Sequence, residues 1–129
     1  MSRIAIPETA FRTTRQRRPR EKKPGHLDFI RSLPCLICGQ GDVHAAHIRA
    51  GNLALGKRPT GAGEKPSDGW AVPLCGDHHV WGPDAQHGRG EMAWWDEHRI
   101  DPFVTALALW MATGDYDTAT TIVARSAAH

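Results

Sequence analysis

Residues 35–38 read Cys-Leu-Ile-Cys, and residues 75–79 read Cys-Gly-Asp-His-His. Together the two clips contain all three cysteines of the 129-residue chain. A structural zinc ion takes four thiolate or imidazole ligands in a tetrahedron, and short clips of this spacing supply them in pairs. The spacing therefore predicts a structural zinc site formed by Cys35, Cys38, Cys75 and His78. The alternative is a set of buried free cysteines.

Length and cysteine use limit the class of protein. Three cysteines are an odd number and no apolar signal segment precedes them, so a secreted disulfide framework accounts poorly for them. A chain of this length has room for one domain with a small core, which a metal clamp would help to stabilise. No apolar run approaches membrane-spanning length. We therefore expect a soluble, single-domain protein of the cytosol.

The basic residues are concentrated near the beginning of the chain. Residues 1–25 hold eight basic and two acidic residues, although the formal net charge of the whole chain is +2. Because this arm lacks apolar periodicity, we predict that it is disordered and that counterion release draws it to phosphates. A tail that serves only solubility is the alternative. The predicted DNA contacts of the arm are Arg15, Arg17, Arg18, Arg20, Lys22 and Lys23.

Turn residues and periodicity predict the elements that follow the arm. We expect a helix over 26–33, strands over 43–48 and 70–74 with a long loop over 51–69 between them, and a helix from Cys75. Further helices are expected over 91–99, after the Asp101-Pro102 start signal, and over 117–125. The residues predicted to form the core, or else a partner-binding face, are Trp94, Trp95, Phe103, Leu107, Trp110 and Met111.

Three more histidines, His47, His79 and His87, lie close in sequence to the zinc clips. On a strand-strand-helix plan His47 ends the first strand and His79 lies on the helix, so a zinc knuckle could bring both to one divalent ion. A neutral imidazole can take a proton from water, and a divalent cation can stabilise a pentavalent phosphate and its departing oxygen. This combination predicts phosphodiester cleavage.

Several strings in the same order resemble the HNH, or ββα-metal, endonucleases, in particular small phage-type members such as the recombinase-dependent recombination-enhancement nucleases. The resemblance covers roughly residues 33–95. It implies an α+β fold in which residues 26–129 form one domain. That domain consists of a small zinc-stabilised ββα-metal core and the C-terminal helices that follow it. Its strings are the Cys-x-x-Cys knuckle, AAHIR at 45–49, KPSD at 65–68, VPLC at 72–75, HH at 78–79, QH at 86–87 and GE at 90–91.

The resemblance also implies roles for the histidines. His47 matches the general base that activates the attacking water. His79 and His87 match ligands of a catalytic Mg²⁺ or Mn²⁺ ion, with Zn²⁺ as a further option. Residues 81–84 look like an insertion between these two histidines, and they would have to bulge out for both to face one ion.

Two departures from the family pattern bear on catalysis. Ala46 stands where many members carry a metal-binding side chain, and Trp70 stands near the place of the central asparagine. We predict that Asp68 supplies the missing oxygen ligand, the alternative being an aspartate that caps a turn. Strand alternation puts His44 and His47 on opposite faces, and we predict that His47 is the one that faces the metal.

The resemblance predicts a metal-dependent DNA endonuclease of phage recombination or DNA processing. It would act in the cytoplasm of a bacterial host, and a recombinase filament is a possible partner. Arg49, Lys57 and Arg58 could grip phosphates that flank the scissile bond, although solvated loop charges explain them equally well. One alternative function is a zinc-stabilised DNA-binding module that has lost cleavage. The other is a protein-interaction module built on the tryptophan-bearing helices.

Overall fold

A computed structural model describes residues 22–61, 64–88 and 90–127. Within these residues the chain forms a two-stranded antiparallel sheet and four α-helices, so the predicted α+β class is confirmed. Residues 1–21 of the predicted arm, with Arg15, Arg17, Arg18 and Arg20, lie outside the described residues. Helix α1 begins at Pro24, two residues inside the range assigned to the arm.

The helices and strands lie close to their predicted places. In chain order they are α1 (Pro24–Arg31), β1 (Val43–His47), β2 (Ala71–Cys75), α2 (Glu91–Glu97), α3 (Pro102–Met111) and α4 (Tyr116–Ala127). A π-helical turn, Asp77–Trp81, follows β2, and short 3-10 turns occupy Leu53–Leu55 and Gln86–Gly88.

The sheet places both clips at one end of the hairpin. Val43 pairs with Cys75 at one end of the ladder, and His47 pairs with Ala71 at the other. All five residues of β2 are buried, because α1 and α3 pack against this strand. The knuckle is tied to β2 by a hydrogen bond from Leu36 N to Pro73 O (2.9 Å). The end of β2 is thus fixed by packing on several sides.

The segment after β2 is a π-helical turn rather than the regular helix that we predicted. Its closing hydrogen bond runs from Gly82 N to Asp77 O (2.9 Å), five residues apart. The Gly82-Pro83 pair ends the turn there, because proline cannot donate the next backbone hydrogen bond. Short π-helical segments of this kind are frequent at functional sites.

The predicted start of α3 is confirmed. Asp101 Oδ1 accepts hydrogen bonds from Phe103 N (3.0 Å) and Val104 N (3.2 Å), and Pro102 fills the first helical position. These contacts satisfy backbone donors that a helix leaves unpaired in its first turn. The cap fixes α3 at the angle at which it packs on β2.

The tryptophans of α2 form the centre of the core, as predicted. Trp94 and Trp95 are fully buried, with ring centroids 4.8 Å apart in an edge-to-face arrangement. The core interpretation is wrong for Met111, which is 85% exposed, and Leu107 and Trp110 are only half-buried. Because α3 buries the face that carries Phe103 and Leu109, Met111 lies on the other side of the helix. Among the described residues, no helix is long and apolar enough to cross a membrane.

Candidate functional site

Cys35, Cys38, Cys75 and His78 converge on one point. Their ligand atoms all lie within 4.8 Å of one another. Cys38 Sγ is 3.7 Å from Cys75 Sγ, and His78 Nδ1 is 3.3 Å from Cys75 Sγ and 3.9 Å from Cys35 Sγ. Ligand atoms of a tetrahedral zinc ion are about 3.5–3.8 Å apart, given Zn–S near 2.3 Å and Zn–N near 2.05 Å. These four side chains are therefore close enough to bind a metal ion such as zinc.

The pKa shifts of the Cys35 and Cys38 thiols favour the binding of a cation. Burial raises the pKa of Cys35, but backbone hydrogen bonds from Cys75, Cys38 and Ile37 outweigh it, so the net shift is downward. Partial burial and the neighbouring Cys75 and Cys35 thiols raise the pKa of Cys38 to about 11. The cluster thus favours one thiolate and resists a second, because two negative sulfurs would repel each other. A divalent cation removes that repulsion, and the donor set fits zinc.

Backbone hydrogen bonds shape the turn that carries Cys35 and Cys38. Cys35 N donates to Gln40 O (2.8 Å), and Gly39 N donates to Cys35 O (2.9 Å), which closes the knuckle turn. Gly39 has φ +76°, a left-handed conformation that glycine adopts without a side-chain penalty. Ile37 N points at Cys35 Sγ from 3.4 Å. The knuckle is therefore shaped by its own backbone hydrogen bonds.

His47 pairs with Asp68. His47 Nε2 lies 2.9 Å from Asp68 Oδ1, and the Asp68 side chain is only 3% exposed. Lys23 N donates to the second oxygen, Asp68 Oδ2, at 2.7 Å. An ionised carboxylate only accepts hydrogen bonds, so a neutral His47 ring bonded to it carries its proton on Nε2 and its lone pair on Nδ1. Asp68 thus fixes both the orientation and the tautomer of His47.

A second group of histidines lies at the π-helical turn. His44 Nδ1 is 2.9 Å from His79 Nδ1, and the ring centroids of His79 and His87 are 4.5 Å apart. His87 therefore lies beside His79, as the prediction of a bulge at residues 81–84 requires. Burial, and then the nearby His87, His44 and His47, lower the pKa of His79 to about 4. His79 is accordingly a neutral imidazole at pH 7, the form that ligates metal.

The residues predicted to bind the catalytic ion are not gathered as tightly as the three cysteines and His78. Among the described residues, the cysteine-rich group is the one set of three or more potential ligands that converges on a point. His79 and His87 are neighbours, but both oxygens of Asp68 already accept hydrogen bonds from His47 and Lys23. The prediction that Asp68 ligates the ion stays a prediction, and its observed contacts orient His47.

A cleft of about 200 Å³ lies beside these histidines. His47, His87 and Glu91 line it, together with Arg49 and Gln86. Glu91 Oε2 accepts from Arg49 N (3.0 Å) and Glu91 Oε1 accepts from Ala50 N (2.8 Å). The carboxylate at the start of α2 thereby holds the chain directly after His47. The cleft is open to solvent and can admit one small charged group.

The three loop cations contact the protein itself. Lys57 is buried, its Nζ donates to Ala50 O (2.7 Å), and burial lowers its pKa. Arg49 donates to the carbonyls of Glu64 (2.9 Å) and Gly61 (3.0 Å). Arg58 pairs with the Glu64 carboxylate at 3.0 Å. These contacts hold the long loop in shape, and phosphate binding by the three residues stays a prediction.

Sequence reasoning missed the roles of His44 and Glu91. His44 contacts His79 although His47 was the histidine predicted to face the metal. The antiparallel register pairs His44 with Leu74, next to Cys75, which brings it to the turn that carries His79. Glu91 was part of a matching string, but its sequence carries no signal that it reaches Arg49 and Ala50.

Residues 5–105 match the family model described as a protein of unknown function, DUF968, and the chain belongs to that family. Comparison with curated proteins and with solved structures found no match.

Proposed function

We propose that this DUF968 chain is a metal-dependent nuclease of the ββα-metal (HNH) type that hydrolyses DNA phosphodiester bonds. The observation that carries the proposal is the pair of His47 and Asp68, joined at 2.9 Å at the end of β1. A histidine whose second nitrogen is held by a buried carboxylate has the arrangement that a general base needs. The open cleft beside it gives a phosphate and a water access to the imidazole.

The chain's own residues account for the proton transfer. His47 Nδ1 accepts a proton from water while Nε2–H remains bonded to Asp68. The negative charge of Asp68 stabilises the imidazolium that results, and Lys23 N–H keeps the carboxylate in place. General bases positioned in this way contribute rate factors of about 10²–10⁴.

The neighbouring histidines support a divalent ion in the same site. His79 and His87 are the proposed ligands, and the contact of His44 with His79 makes it a further candidate. Bound there, Mg²⁺ or Mn²⁺ would supply positive charge to the phosphate and to the leaving oxygen. The low pKa of His79, about 4, supports this role, because no proton has to be displaced near neutral pH.

The cysteine-rich site has a different proposed role, which is to hold a structural Zn²⁺. Its four ligands join the knuckle to the end of β2 and to the π-helical turn, which carries His79 next to His78. A zinc ion at this point would hold the turn against the hairpin. The site would then be supported by a closed metal centre that takes no part in the chemistry.

DNA is the proposed substrate because the chain combines a cleft of about 200 Å³ beside His47 with the basic residues of the arm. The first described members of the arm, Lys22 and Lys23, are exposed, and Lys23 N contacts Asp68. Lys23 thus lies beside the pair of His47 and Asp68, and contact of the arm's cations with the phosphates of a bound strand stays a prediction. A recombinase partner and a role in phage recombination, which the resemblance predicts, stay predictions.

A DNA-binding module without cleavage is the second candidate function. Ala46 offers no ligand, and Asp68 is already engaged by His47 and Lys23. Both observations count against a divalent ion at this site. They do not count against DNA binding by the arm or metal binding by the cysteine-rich site.

The deciding experiment incubates zinc-loaded protein with supercoiled plasmid and either Mg²⁺ or Mn²⁺. Nicking or linearisation that stops in EDTA would support the nuclease. Retarded plasmid without cleavage, in the presence of both ions, would favour the binding module. A His79→Ala variant with retained zinc is the matched test of the ion site, and we expect it to lose cleavage.

A further inference from the structure

Trp81 is a large aromatic side chain on the surface of the described part of the chain. Its exposed fraction is 72%, whereas Trp94 and Trp95 are fully buried. A single exposed apolar side chain is ordinary and carries no inference by itself. The backbone and side chains around Trp81 are therefore the features that bear on its role.

The indole ring lies against the backbone at Gly76. A Cβ atom on Gly76 would lie 2.2 Å and 2.4 Å from Trp81 ring carbons, so the ring occupies the space that glycine leaves open. A Cβ on Gly82 would lie 2.4 Å from Asp77 O, so glycine is also needed where the turn closes. His44 contacts the ring edge-on, with centroids 5.4 Å apart at 89°. Trp81 thus lies against Gly76 and His44 with most of its surface open to solvent.

The ring also adjoins the proposed reaction site. His44, which contacts Trp81, lies 2.9 Å from His79 through their Nδ1 atoms, and His79 packs against His87. His87 and His47 line the same cleft. Three ring contacts, with centroids 4.5, 5.2 and 5.4 Å apart, thus link His87 at the cleft to the indole, a distance that a bound strand spans within a few nucleotides.

We propose that Trp81 stacks on an unpaired nucleobase, so that the site takes single-stranded or locally unpaired DNA in preference to continuous duplex. The inference rests on the proposed function in taking DNA as the substrate. Every base has a π-face that can stack on an aromatic side chain, and such platforms serve single-strand binding without sequence preference. In a continuous duplex both faces of each base are covered by neighbouring pairs, so the ring would have no base to meet.

A protein partner fits the surroundings of the ring less well. Protein-docking surfaces are contiguous apolar patches of several hundred Å². Among the described residues, the His44 imidazole and Gly76 adjoin the Trp81 ring, and Val80 is the other exposed large apolar residue of this turn. Imidazoles beside an aromatic face suit a nucleotide, which offers a base to stack and a phosphate to bind.

The test compares three variants with the wild type. Trp81→Leu keeps an apolar side chain but removes the π-face, and Trp81→Phe keeps an aromatic face. Met111→Ala is the control, because Met111 is also exposed, at 85%, but lies on α3. Equilibrium binding is measured by fluorescence anisotropy with a labelled single strand and with its duplex, using zinc-loaded full-length protein at fixed salt without Mg²⁺ or Mn²⁺. Zinc content and circular dichroism verify the fold.

We expect Trp81→Leu to weaken single-strand binding about 5- to 150-fold, the range that loss of one stacked base covers. Duplex binding should change less than about two-fold, Trp81→Phe should keep most of the affinity, and Met111→Ala should have none of these effects. Unchanged single-strand binding in Trp81→Leu would overturn the proposal, as would an equal loss on both substrates. Self-association that depends on Trp81, with unchanged DNA binding, would assign the ring to a protein contact and also overturn it.

The result is separable from the nuclease assay because binding is measured without the catalytic ion. Single-strand preference that depends on Trp81, in a protein that cleaves neither plasmid nor single-stranded DNA, would leave this inference standing and remove the nuclease. DNA cleavage by a protein whose single-strand binding does not depend on Trp81 would support the nuclease and overturn this inference.

Discussion

His47 Nε2 lies 2.9 Å from Asp68 Oδ1, although the two residues are 21 positions apart and a long loop separates them. The Asp68 side chain is 3% exposed, and its second oxygen accepts a hydrogen bond from Lys23 N. Three separate segments of the chain thus meet at one carboxylate. A buried carboxylate needs such partners, because it would otherwise be costly to keep ionised. The proposed base is therefore positioned by tertiary structure.

Asp68→Asn should reduce DNA cleavage while the protein stays folded. The amide keeps the shape of the side chain but lacks the negative charge that stabilises protonated His47. We expect a loss of about 10²-fold or more, within the range attributed to general base catalysis. Cleavage rates are measured on plasmid with Mn²⁺, with Asp28→Asn as a control because Asp28 pairs with Arg31 on the surface. Wild-type rates in Asp68→Asn would show that the carboxylate does not act through His47.

Cys38→Ser should release zinc and destabilise the fold. The serine hydroxyl is a poor substitute for one of four ligands, and loss of a metal site is among the changes that exceed about 4 kcal/mol. Zinc content is measured by mass spectrometry and stability by thermal unfolding with and without a chelator. Asp77→Asn alters the other clip, next to His78, without removing a ligand atom and should retain zinc. A zinc-free Cys38→Ser protein as stable as the wild type would contradict the structural role.

Glu91→Gln should loosen the segment that follows His47. Glu91 accepts from two backbone N–H groups, Arg49 N and Ala50 N, and an amide can accept only one of them while its NH₂ opposes the other. We expect a loss of about 1 kcal/mol in stability, measured by urea unfolding, and a lower cleavage rate. Met92→Ala, which changes the next residue of α2, should leave the rate unchanged. Full activity in Glu91→Gln would show that this clamp is dispensable.

His26 should make stability depend on pH. Burial lowers its pKa below 6.5, although the charge of Asp68 raises it in part, and its Nδ1 lies 2.7 Å from Thr113 Oγ1. The unfolded state therefore binds the proton more readily than the folded state. The contribution of neutral His26 to stability is complete above about pH 6.5 and is lost as pH falls towards the lowered pKa.

His26→Asn isolates this effect, because asparagine keeps a polar group near Thr113 and does not titrate. Urea unfolding at pH 7.5 and pH 5.5, both with saturating zinc, should show a smaller acid destabilisation in the variant than in the wild type. Equal acid destabilisation would place the titration elsewhere in the protein.

The parts of the fold that the sequence predicted depend on short-range chemistry. The two zinc clips, the strands on either side of the long loop and the Asp101-Pro102 start of α3 carry local signals within a few residues. The contacts that were missed join distant segments. His44 reaches His79 through the register of the hairpin, and Lys57 is buried because its loop folds back over Ala50. The identities of the side chains do not by themselves determine the register of two paired strands or the path of a loop.

The cleavage rate of His47→Ala, with and without added imidazole, tests the central claim most directly. The substitution leaves a space beside Asp68 at the edge of an open cleft, where free imidazole can take the place of the missing ring. With zinc retained, we expect plasmid cleavage in Mn²⁺ to fall at least about 100-fold and to be partly restored by imidazole. Cleavage by His47→Ala at the wild-type rate, without imidazole, would contradict the account.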